Sequence, residues 1–147
     1  MPTRVMSIRL QENQVARLNR FARRQRRRPS ESLAMILEEA LRASEFPLVQ
    51  FRDTVLGREA YVSGTSTAVW EIAWLAQHYE GDADRVASYL EWPAIKVKAA
   101  LAYAARYADE MADALTDMNQ SAEDLSRLVP GLHVFPVAFS ADDTTHP

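Results

Sequence analysis

The chain reads as a mainly α protein built in two parts: a strand and two helices in about the first 43 residues, then a small helical domain with one or two short strands. Three observations support this. Apolar residues recur every second position in one short stretch and every third or fourth elsewhere. Prolines and glycines punctuate the chain at helix-length intervals. Charge divides sharply between the two parts.

In "TRVMSIRL" the residues Met6, Ile8 and Leu10 alternate with Val5, Ser7 and Arg9, the period of a half-buried strand. From Glu12 the spacing changes. Val15, Leu18, Phe21 and Ala22 fall on one helix face, with Arg17, Arg20, Arg23 and Arg24 mostly on the other. That helix must end before Pro29, whose fixed φ and missing N–H suit a first helical turn. Leu33, Ile36, Leu37, Ala40 and Leu41 then supply the stripe of a second helix. One strand and two short helices enclose too little core to stand alone, so a second copy is expected.

The pieces "VMSIRL", "VARLNRFA" and "SESLAMILEEAL", in that order between Thr3 and about Ser44, resemble the ribbon-helix-helix family of bacterial repressors, the CopG-like and Arc-like proteins. The resemblance implies residues 1–44 as a DNA-binding and dimerisation domain. In the homodimer two N-terminal strands would pair into a ribbon flanked by four helices, and higher oligomers are left open. It implies that Val5, Ser7 and Arg9 on the ribbon meet base edges of double-stranded operator DNA. There Arg9 could donate two hydrogen bonds to guanine, Ser7 could serve either kind of base pair, and Val5 could touch a thymine methyl. It also implies that Arg26, Arg27, Arg28, Pro29 and Ser30 hold a backbone phosphate at the start of the second helix, where free amides and the dipole favour an anion. The plain alternatives are an edge strand with a solvated polar face, and a solvated basic helix end for Arg17, Arg20 and Arg23.

Beyond Ser44 a linker is expected to about Val49, then one or two strands near Val55 and Ala60 to Val62. A helix from Thr67 carries Val69, Trp70, Ala73, Trp74 and Ala76 and ends before Gly81; its tryptophans read as core rather than as a platform for bases. Asp82 or Asp84 can cap a short helix through Leu90. Pro93 can start a longer one, with Ile95, Val97, Ala100, Leu101, Ala104 and Tyr107 buried. Short helix, tight break and longer helix make a helix-turn-helix shape. Its exposed cations Lys96, Lys98 and Arg106 are outnumbered by acids, which favours a scaffold over a second reading head. "GREAYVSGTSTAVWEI" and "YLEWPAIKVKAALAYAARYADEM", within residues 50–115, resemble the helical family catalogued as domain of unknown function 433, whose members look like antitoxin modules. After Leu115 the periodicity weakens, and 116–147 reads as a tail. Within it Leu132, Val134, Phe135, Val137 and Phe139 are an apolar candidate for partner binding.

The charge pattern points to a division of labour. Residues 1–43 carry ten arginines against four acids, a balance of +6, whereas residues 44–147 carry seven cations against sixteen acids, −9; together these make the −3 of the whole chain. A basic first third suits a polyanion and an acidic remainder suits a basic partner. No catalytic constellation is legible. Cysteine is absent, no GxSxG, HExxH or phosphate-cradling loop occurs, and His78, His133 and His146 lie far apart. Asp109, Glu110, Asp113 and Asp117 read as a solvated acidic face rather than a metal site. No cofactor is expected, and with neither a membrane span nor a signal sequence the chain is expected to be cytoplasmic. The expected function is that of a repressor, the antitoxin of a toxin-antitoxin pair, which binds its own operator and neutralises a toxin such as a PIN-like nuclease. A stand-alone repressor with an oligomerising or ligand-sensing second domain, and an RNA-processing enzyme, are the alternatives.

Overall fold

A computed structural model describes residues 2–55, 57–129 and 131. It divides at Arg42/Ala43 into two compact units. The architecture is mainly α, with six helices and a single two-stranded sheet, placed in the middle of the chain, among the described residues.

The expectation of an N-terminal ribbon is corrected. Residues 2–11 form neither strand nor helix, and Val5 and Met6 are 94% and 84% exposed. The alternation in "VMSIRL" is real, but a strand exists only through a neighbour's hydrogen bonds. The two strands of this chain pair with each other further on, leaving the N-terminal segment without a ladder. The first regular element is a helix, α1, Glu12–Gln25, followed by α2, Pro29–Glu45. Their boundaries follow local chemistry. Gln14 reaches back to the Gln11 N–H at 2.9 Å, and Pro29 opens α2 while Glu31 accepts from the Arg28 N–H at 3.3 Å. Between them Arg26 takes a left-handed backbone, φ 52°, and the Arg27 N–H closes on the Ala22 carbonyl at 3.0 Å.

The second unit opens with β1, Val49–Thr54, and β2, Gly57–Val62, an antiparallel hairpin in which Val49 faces Val62 and Thr54 faces Gly57. Gly57, at φ 116°, has a backbone that residues bearing a Cβ rarely adopt. Val55 therefore sits in the turn, not in a strand. Four helices follow: α3, Val69–Gln77; α4, Ala83–Leu90; α5, Ala94–Arg106; and α6, Ala108–Leu128. Glu71 accepts from the Ala68 N–H at 2.7 Å to begin α3. Asp82 accepts from the N–H groups of Asp84 and Arg85 to begin α4. The core joins Val62, Val69, Ile72, Val86, Val97 and Ala100 around Tyr103, which is wholly buried. Phe46 and Phe51 meet its ring edge-on, with centroids 5.3 and 6.3 Å away. Its hydroxyl donates to Glu110 at 2.9 Å, tying α5 to α6. Ile95, expected inside, is 64% exposed, and Tyr103 takes the central place. Helix α6 runs on well past Leu115. No described helix is long and apolar enough to cross a membrane.

Candidate nucleic-acid interface

The first unit presents cations that no carboxylate of the described residues neutralises. Arg23, Arg24, Arg26, Arg27 and Arg28 are all exposed, and among the described residues none of them makes an ion pair with a carboxylate. Arg27 only touches the Met35 sulfur, at 3.6 Å. The left-handed turn at Arg26 ends α1 abruptly, so Arg26, Arg27 and Arg28 stand in succession where α2 begins, with Arg23 and Arg24 in the last turn of α1. The first N–H groups of α2 lack helical partners and carry the positive end of its dipole, beside exposed Pro29 and Ser30. All five residues expected to meet phosphate therefore lie together at one helix start. Such a set can hold a polyanion's backbone but carries no sequence information.

Val5, Ser7 and Arg9 are exposed as well, on the segment that precedes α1. Their side chains are free to reach base edges, but no strand fixes their directions. The same unit also has almost no interior. Ala22 and Ser32 are its only buried residues among those described, and the Ser32 hydroxyl has no hydrogen-bond partner. Leu10, Leu18, Phe21, Leu33 and Ile36, rimmed by Gln14, Arg17, Arg20 and Arg24, line an open cleft of ≈ 460 Å³, while Leu37 and Leu41 stand 58% and 52% exposed. Both these apolar stripes and the shortage of core within one copy were expected from the sequence.

The second unit offers a different surface. Lys98 is held by Asp84 at 3.2 Å and Arg85 faces Glu80 at 3.7 Å, while Arg106 lies over the Tyr107 ring at 5.3 Å, so of the expected cations Lys96, Lys98 and Arg106 only Lys98 is paired with an acid among the described residues. Trp70 is buried and Trp74 half-buried against His78, so neither is a base-stacking platform. Arg52 lies over the Tyr61 ring at 4.8 Å; burial first, then Glu59 and Glu71, hold the Tyr61 phenol above its usual 10.0, so it stays neutral. Among the described residues no group of three or more His, Asp or Glu is placed to hold a metal ion. The candidate partner-binding residues Leu132, Val134, Phe135, Val137 and Phe139 lie outside the described residues.

No protein-family model, no curated protein and no solved structure matches the chain. Its likeness to the two families named above rests on the quoted motifs alone.

Proposed function

We propose that the chain is a DNA-binding transcriptional repressor acting as a homodimer. In this reading it is the antitoxin of a toxin-antitoxin pair, repressing its own operon through the first unit. The observation that supports DNA binding best is that Arg26, Arg27 and Arg28, at the turn into α2 beside Pro29 and Ser30, are exposed and have no carboxylate partner among the described residues. Phosphate contacts of this kind supply most of the affinity of such proteins and place the rest of the molecule on the duplex. Base selection falls to the exposed segment before α1, where Arg9 can pair with guanine, Ser7 can bond to either base pair and Val5 can meet a thymine methyl. Homodimer formation is supported by the apolar side chains that the first unit leaves open, Leu33 and Ile36 in the cleft and Leu37 and Leu41 beside it, which a second copy would cover. The acidic second unit supports the antitoxin half of the proposal, because its field attracts and steers a basic protein such as a PIN-like nuclease.

The test uses full-length protein, DNA from upstream of its own coding sequence, and random duplex DNA. Arg9→Ala is expected to weaken binding to the upstream DNA by about 1 to 3 kcal/mol and to spare random DNA. Equal losses on both would remove Arg9 from base reading. No binding by the wild type would end the proposal.

A further inference from the structure

Helix α6 is 21 residues long, yet only its first half joins the core: Met111 and Leu115 are buried, Ala114 is packed beside them, and among the described residues none beyond Leu115 belongs to the cluster. Apolar residues nevertheless continue along the same face. From Met111 the intervals run four, three, four, three, four, through Leu115, Met118, Ala122 and Leu125 to Val129 at the helix end. That is the alternation of a coiled-coil seam. Met118 and Leu125 are 38% and 54% exposed on this face. The charges of this half, Asp117, Glu123, Asp124 and Arg127, all fall on the opposite side of the helix, and neutral residues flank the seam.

We infer that the distal half of α6 is a seam for a second copy of this chain. Two such helices meet without bringing like charges together, because every acid points away from the contact. A repeat with a mean period of 3.5 fits a helix carrying the same repeat, and the sequence after Val129, with prolines at 130 and 136, offers no second run of it. Three turns of seam are too short to hold two chains alone. The inference therefore rests on the pairing of first units proposed above, which raises the local concentration of one α6 beside the other.

The absence of cysteine makes a direct test available. Met118→Cys, Ala122→Cys and Leu125→Cys are made singly in the full-length protein, with Asp117→Cys and Asp124→Cys as outward controls. Disulfide formation in oxidised glutathione is followed beside sedimentation and binding to the upstream DNA. At least one seam cysteine is expected to link two chains about tenfold faster than either control, and adding Leu125→Glu to Met118→Cys is expected to abolish that advantage while DNA binding persists. A DNA-binding dimer whose seam cysteines link no faster than the controls overturns the seam and leaves the proposed function standing; that is also the outcome if another part of the chain or a different protein covers this face. A monomeric wild type overturns both.

Discussion

Arg26 and Glu91 hold the same backbone for different reasons. Each ends a helix in the left-handed region, φ 52° and φ 56°, where glycine is the usual occupant, and in each case the next N–H closes on the carbonyl five residues back, Arg27 on Ala22 and Trp92 on Ala87. A side chain in that conformation costs about 1 kcal/mol. At Glu91 nothing in the structure recovers the cost. At Arg26 the proposed phosphate contact offers a reason for the strain, since it keeps a third cation in the turn into α2. Both Arg26→Gly and Glu91→Gly are therefore expected to raise stability by about 1 kcal/mol in urea unfolding. Only Arg26→Gly is expected to weaken DNA binding, measured by titration on random duplex.

Among the elements, α4 depends most plainly on its cap. It has eight residues, and the Asp82 carboxylate takes two of its unpaired N–H groups at 3.0 and 3.1 Å. Asp82→Ala is expected to cost about 1 kcal/mol, read from the urea midpoint at unchanged slope. That cap was legible in the sequence, as were the starts of α1 at Glu12 and α2 at Pro29, because each depends on residues within one turn. What depends on distant partners was not. The period of two before α1 describes side-chain faces, while a strand also needs a ladder, which this chain does not supply there. Ile95 and Tyr103 exchange roles because helical spacing gives a stripe but not its centre, and the centre was fixed by Phe46 and Phe51 from outside the helix. The second half of α6 was obscured by Asn119, Ser121 and Ser126, which dilute the stripe without breaking the helix. The arginine cluster was readable as a patch of charge; its freedom from carboxylates needed the fold.

At the scale of the whole molecule, charge is sorted by sequence position, +6 in residues 1–43 and −9 in the remainder. Under the proposed function the basic half meets DNA, and that contact has a characteristic salt dependence. Counterion release predicts that the logarithm of DNA affinity falls with the logarithm of salt by about 0.9 for each phosphate contact. In a dimer the double variant Arg27→Ala with Arg28→Ala removes four such contacts, so its slope is expected to be shallower by about 3 to 4. Titrations at three or more salt concentrations measure this directly. An unchanged slope would take both arginines off the phosphates.

The hairpin of the second unit has only two strands, so each of them is also an edge. Unpaired backbone along such edges would invite other molecules to add strands, but at the base of β2 the Val62 N–H already bonds to the Thr67 carbonyl at 3.0 Å, and charged residues occupy the tip half of both strands, with Arg52 opposite Glu59 and Asp53 opposite Arg58. Arg58 also closes on Asp53 at 3.2 Å. An incoming strand would have to strip water from these four groups before its first backbone bond formed, a cost that guards such edges against stacking. Together they keep the sheet closed to amyloid-like growth while the helical faces stay open to contact.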